Sequence, residues 1–206
     1  MKLNVGKAFS RLLCSLPDST KSRLFDATWR AMTDEARDTT RAKYQMASME
    51  WSLKNIASQG FLPRNIVDVG TYHGDWTRMA KLVFPEAKIL MVEAQPDKEA
   101  ILRQVAAEYL GQVKYNISLL GPAACEEVEF YELETGSSVF AEQSGIRRQV
   151  VKRPMKTLNE VVAFDHQGSC DFLKLDVQGY ELEVLKGGTD VLQQAEVVLM
   201  EVSLLE

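Results

Sequence analysis

Four acids and two glycines occupy positions where this chain could do chemistry. Asp68, Gly70, Gly74 and Asp75 lie in the stretch IVDVGTYHGDW, residues 66–76; Glu93 follows 25 positions after Asp68, and Asp176 ends the run DFLKLDV. A glycine turn after a strand often cradles phosphate at a helix N-terminus. The dinucleotide pattern G-x-G-x-x-G, counted from Gly70, instead meets Tyr72 and Asp75, and an acid at that point repels a diphosphate. A ligand without phosphate and with positive charge fits better. S-adenosylmethionine carries a sulfonium and an amino group. It calls for close backbone approach at Gly70, a carboxylate near its amino-acid end at Asp68, and an acid at Glu93 to accept both ribose hydroxyls. The competing account of the same residues is a strand–turn–helix whose glycines only permit tight packing.

The second constellation is DFLKLDVQGYELEVLKGG, residues 171–188. Asp176 closes an apolar strand, where a carboxylate is costly unless something uses it. Gly179 lets the chain turn, and Glu181 and Glu183 open a helix at its favourable end for negative charge. Leu182, Val184 and Leu185 are expected on that helix's buried side, with Gly187 and Gly188 ending it. Methyl transfer from a sulfonium is an in-line displacement that depends on alignment, and an acceptor hydroxyl must also lose a proton. The candidate bases are Asp176, His73 and His166, with ordinary pKa values of about 3.9 for Asp and about 6.5 for His. Asp176 has the better position and His73 the better-matched basicity. His166 sits in a loop and reads as solvated.

The elements that must position these groups follow from periodicity. Residues 1–60 read as helical, with an amphipathic opening helix, a helix over 18–32 capped by Asp18 or Ser19, and another over 34–58. Gly60 and Pro63 mark a boundary, so the chain divides into a helical extension, 1–60, and a domain, 61–206. The texture then alternates: strands over 65–70, 88–94 and 113–120, an additional edge or hairpin strand over 126–133, and strands over 171–177 and 196–204. Helices fall over 74–84, 97–110 and 179–194. Strands separated by helices imply right-handed crossovers and a parallel sheet. A sheet of this kind is expected to continue past Glu206, so C-terminal strands are expected to be missing from the sequence.

Bulk properties bound the function. With 46% hydrophobic and 26% charged residues in 206, the chain is that of a globular protein. Its net charge of −5 is divided, with +4 over residues 1–60 and −9 over 61–206, which disfavours nucleic acid as a partner. Cys14, Cys125 and Cys170 lack metal-ligand spacing, so no metal is expected and a cytoplasmic location is the default. No apolar run approaches the ~20 residues that span a bilayer, and stable membrane insertion is not expected. Arg147, Arg148, Lys152 and Arg153 form a basic cluster that reads as a solvated face or as a contact for an anionic acceptor. Ser137 and Ser138 read as loop residues or a gate over the cofactor. A homodimer through the N-terminal helices is one possibility among several.

The motifs IVDVGTYHGDWT, MVEAQP, VEFYELETGSSVF and MKTLNEVV, and above all DFLKLDVQGYELEVLKGG followed by VVLMEVS, resemble the FkbM-type methyltransferase family of class I, S-adenosylmethionine-dependent enzymes. The resemblance covers residues 64–206. It implies an α/β, Rossmann-like fold, a doubly wound and mostly parallel sheet in an α/β/α sandwich. It also implies a cytosolic enzyme that methylates a hydroxyl of a sugar, glycan or natural product, a small-molecule or glycan acceptor. By position it implies Asp68, Gly70 and Gly74 on the methionine side of the cofactor, Glu93 at the ribose, Asn116 or Ser118 near the adenine, and Asp176 nearest the acceptor. The chain departs from the family pattern at Asn159, often Asp, and at Gln178, often Glu. A nucleotide-dependent oxidoreductase and a non-catalytic domain that keeps the fold are the competing readings.

Overall fold

The computed structural model describes residues 16–43, 48–132, 149–165 and 169–201. The opening amphipathic helix, Cys14, His166, Ser137, Ser138, Arg147 and Arg148 therefore lie outside the described residues. The chain clusters into two compact units, Met1–Ser52 and Leu53–Glu206.

In the first unit, helix α1 (Asp18–Ala31) follows Pro17, and α2 (Asp34–Lys43) follows directly. Pro17, not Asp18 or Ser19, stands at the cap position, and Asp18 already belongs to the helix. Arg37 ties the two together by donating to the Trp29 and Arg30 carbonyls that end α1. Helix α3 (Met49–Ser58) is separate from α2, although periodicity had suggested one helix over 34–58. The reason is local. Ser48 takes a non-helical conformation and its Oγ accepts the Trp51 N–H at 3.1 Å, a side-chain cap that starts a new helix.

The second unit is built on a five-stranded parallel sheet in the order β3-β2-β1-β7-β8. The strands are β1 (Asn65–Val69), β2 (Lys88–Glu93), β3 (Val113–Ile117), β7 (Phe172–Leu175) and β8 (Val197–Met200). Strand β1 and its neighbours are buried almost continuously because both faces of the sheet are covered, and their apolar runs are interrupted by Asp68 on β1 and Lys174 on β7. Alternation divides the core. Val67, Leu90 and Leu173 face a cluster with Leu158, Val161 and Val184, whereas Ile66, Ile89 and Phe172 face Leu53, Ala80 and Leu102. The covering helices are α4 (Asp75–Val83) and α5 (Glu99–Glu108) on the second face, and α6 (Leu158–Asp165), α7 (Glu181–Lys186) and α8 (Thr189–Gln194) on the first. This is the α/β/α arrangement expected from the sequence. Strand β8 alternates half-buried and exposed residues, the pattern of an edge among the described strands.

Three expectations need correction. The run 113–120 is not one strand: Ser118 breaks it, and β4 (Leu119–Leu120) joins a second sheet, β4-β6-β5. That sheet pairs β5 (Cys125–Glu132) antiparallel with β6 (Gln149–Lys156), a strand that Pro154 concealed from sequence patterning. The helix expected over 179–194 is two, because Gly187 and Gly188 pack so closely that a Cβ would meet Gly121 O at 2.1 Å and Leu158 Cδ2 at 2.7 Å. Leu182, expected inside, is 65% exposed, and Val184 carries the packing.

Candidate active site

Strand order reverses between β1 and β7, so the connections leave in opposite directions and a crevice opens beyond the strands' carboxyl ends. A cavity of about 210 Å³ lies there, and Gly70, Glu93, Ser118 and Asp176 all line it, with Gln95 and Tyr180.

Gly70 is required by contact. Its φ is +73°, and a Cβ would stand 1.8 Å from the backbone oxygen of Asp176. The β1 turn and the β7 turn therefore touch through bare backbone. Gly70 N–H donates to Val92 O at 2.9 Å, which fastens this turn to β2 as well. Gly74 has a different reason: at φ +78° its Cβ would press on Val105 and Met91, so it serves core packing and does not line the cavity.

Glu93 ends β2 with its carboxylate almost wholly buried, yet on the cavity wall. Its Oε2 accepts the Tyr72 N–H at 2.9 Å and its Oε1 the Gln95 N–H at 3.0 Å. Burial pushes this carboxyl above the usual glutamate value, against backbone N–H groups that favour ionisation. Each oxygen keeps a lone pair for a ligand donor.

Asp68 lies elsewhere. Side chains alternate along a strand, so it points to the sheet face opposite Val69, which lines the cavity. There Thr71 and Thr77 donate hydroxyls to its Oδ2 at 2.9 and 2.7 Å, and Lys174 Nζ stands 3.0 Å from Oδ1. Lys174 is its register partner on β7. The same ammonium donates to Gly70 O at 3.1 Å and lies 3.6 Å from Asp176 Oδ2. Burial lowers the pKa of Lys174, but the charges of Asp68 and Asp176 outweigh it and the ammonium sits above its ordinary value.

Asp176 stands at the rim. Gln178 Nε2 donates to Asp176 Oδ1 at 3.0 Å and to Glu201 Oε2 at 3.2 Å, bridging two carboxyls. Glu201, just past β8, is held above the usual carboxylate range by its hydrogen bond to Asp176 and by that group's charge. The Gln178 departure thus places a donor between two acids, and its φ of +53° shows the turn bent to do so. The Asn159 departure is structural: its Oδ1 accepts the Asp190 and Val191 N–H groups that start α8.

His73 is half-buried, stacked on the Tyr72 ring with 3.7 Å between centroids, and does not line the cavity. Asn116 also stands behind the wall, bonded to Ser118. Within the basic cluster, Lys152 pairs with Glu127. Sequence reasoning missed Lys174, Glu201 and Gln95. A lysine inside the apolar run DFLKLDV was the available signal for the first, because a buried ammonium demands partners.

The family profile described as Methyltransferase FkbM domain matches residues 68–206. No curated protein matches the chain at a significant level. Among solved structures, Methyltransferase FkbM from Methylobacillus flagellatus KT is similar over 67% of this chain and 32% of that one, with 14% identity and a TM-score of 0.49. The chain thus spans about a third of that protein's length.

Proposed function

The chain belongs to the Methyltransferase FkbM domain family, and from that premise we propose that it transfers the methyl group of S-adenosylmethionine to a hydroxyl of a sugar, glycan or natural product. The observation that carries this reading is Glu93: a buried carboxylate, oriented by two backbone N–H groups, on the wall of the cavity that Gly70 and Asp176 also line. Such a group suits a vicinal diol. The donor set fits the cofactor, because the cavity's two acids favour hydroxyls and a cation over a diphosphate.

Bound S-adenosylmethionine supplies a methyl group on a sulfonium, ready for displacement by an oxygen nucleophile. Glu93 accepts the ribose hydroxyls. Gly70 offers backbone to the methionine end at the point where β1 and β7 meet. Asp176, half-exposed at the rim, orients the acceptor hydroxyl and takes its proton; we assign that role to it in preference to His73. Lys174 fixes Asp176 from below, and Asp68 acts one step back by fixing Lys174.

Calorimetry with S-adenosylmethionine, S-adenosylhomocysteine and NAD tests the cofactor half. Binding of the first two, lost by about tenfold or more in Glu93→Ala, supports it; binding of NAD alone overturns it. Labelled-methyl transfer to a panel of hydroxylated glycans tests the reaction, and Asp176→Asn is expected to keep cofactor binding while losing transfer. Intact binding without transfer to any acceptor favours a non-catalytic domain.

A further inference from the structure

Strands that run parallel and helices that return between them put every strand start and helix end on one edge, opposite the cavity. The four most exposed large apolar residues among those described all lie at that edge. They are Leu62, Leu82, Leu110 and Phe164, at 74, 81, 96 and 86% exposure. Leu62 precedes β1, Leu82 is in the last turn of α4, Leu110 joins α5 to β3, and Phe164 is in the last turn of α6. Polar contacts stitch these ends together. Lys88 N–H donates to Arg64 O at 2.8 Å, and Lys81 Nζ donates to Ala87 O at 2.9 Å and to Gln112 Oε1 at 2.8 Å. Lys114 Nζ donates to Asp165 O at 2.9 Å. Single exposed apolar residues are ordinary, but their gathering on one edge marks an interaction surface. Leu110 is moreover held at φ +42°, a left-handed conformation that strains a leucine, with its side chain left in water.

The charges of this edge are unequally engaged. Asp171 Oδ2 accepts the Arg64 and Asn65 N–H groups at 2.7 and 2.8 Å, Asp165 Oδ2 accepts from Asn116 Nδ2, and Glu108 pairs with Arg78. Arg64 and Lys88 are exposed, and their side chains have no partner among the described residues. Glu86 is the exposed acid beside them. We propose that this edge docks on an anionic phospholipid surface, where the three leucines and Phe164 enter the boundary of headgroups and acyl chains and Arg64 and Lys88 meet phosphates. The hollow between these ends, about 100 Å³ and lined by Lys88, Gly111, Lys114 and Asp165, falls below the roughly 300–1,000 Å³ of ligand pockets, so it seats no peptide. A second copy would bring the same unpaired cations to the contact, whereas lipid phosphates neutralise them. The cavity then opens away from the bilayer. The inference is independent of the methyl-transfer reading.

Cosedimentation of the whole chain with vesicles tests it, using phosphatidylcholine alone and phosphatidylcholine mixed equally with phosphatidylserine. The unmodified protein is expected to partition onto the mixed vesicles about tenfold or more strongly than onto the neutral ones, and less as salt is raised. Leu110→Ser combined with Phe164→Ser is expected to lower that partitioning about tenfold or more. Arg64→Glu combined with Lys88→Glu is expected to lower it by a similar factor. All four positions are exposed, so both variants should melt like the unmodified protein, which thermal melting checks. No partitioning of the unmodified protein onto the mixed vesicles overturns the proposal, as does equal partitioning onto the neutral ones. Partitioning unchanged in both variants also overturns it, by showing that another part of the chain meets the lipid. A dimer in sedimentation velocity that Leu110→Ser with Phe164→Ser dissociates would give the edge to a second copy and overturn it as well.

Discussion

Lys174 and Asp68 face each other across β7 and β1, and their burial turns a register pairing into an energetic commitment. Removing one partner of a buried pair leaves an uncompensated charge, so Lys174→Met is expected to destabilise the protein by about 3–5 kcal/mol in urea unfolding. Asp68→Asn keeps an acceptor for Thr71 and Thr77 while removing the charge, so adding it to Lys174→Met is expected to restore part of that loss. A double variant no more stable than Lys174→Met would contradict this account. Glu93 gives a pH signature of the opposite kind. Its folded pKa is raised, chiefly by burial, so the folded state binds more protons than the unfolded one. The associated stability is present below the ordinary glutamate value and is lost as pH rises through the folded value. Melting of the ligand-free protein and of Glu93→Gln across that range should show the unmodified protein losing ground to the variant as pH rises; a constant difference would refute it. Residue types disclosed the acids, but their destinations depended on strand parity. One position separates Val69 at the cavity from Asp68 behind it, and sequence inspection did not apply that alternation to the site.

At the scale of elements, the parallel strands were legible because burial on both faces leaves mostly apolar runs bounded by turn residues. What patterning lost were interruptions set by tertiary contact: the break at Ser118, where the chain changes sheets, and the division of α7 from α8, where two glycines meet other segments. Asn159 illustrates the same limit. In the sequence it is only a departure from the family's Asp, whereas in the structure it caps α8 from another helix. Asn159→Ala is accordingly expected to cost about 1 kcal/mol in thermal or urea unfolding with cofactor affinity unchanged, and Asn159→Asp little. Weakened binding with unchanged stability would return Asn159 to the site. Gly70 carries a larger penalty, because a side chain at φ +73° is strained by roughly 1–3 kcal/mol before the clash with Asp176 O is added. Gly70→Ala must part the two turns, so it should lose both stability and affinity for S-adenosylhomocysteine. A variant that melts and binds like the unmodified protein would show that the turns need not touch.

For the domain as a whole, the cavity exists because the sheet reverses its winding between β1 and β7, and the carboxyl ends of β1, β2 and β7 each deliver a group to one crevice. The second sheet closes it from the side with Phe130 and Leu120, so the binding wall depends on the parallel sheet and the antiparallel one together. A ligand held by elements so far apart in sequence binds only when all of them are folded, and stabilises the domain by mass action. At a free concentration of S-adenosylhomocysteine 100 times its Kd, the stabilisation is about 2.7 kcal/mol. A domain of this size shifts by about 2–4 °C per kcal/mol, which predicts a rise of roughly 5–11 °C in the melting transition. Glu93→Ala, compared with its own ligand-free melting at the same concentration, should shift by about half as much or less, because a tenfold or greater loss of affinity halves the stabilisation or more. NAD should produce no shift in either protein. A shift that survived in Glu93→Ala would mean that the compound binds elsewhere on the molecule and that the crevice between the strand ends is not its site.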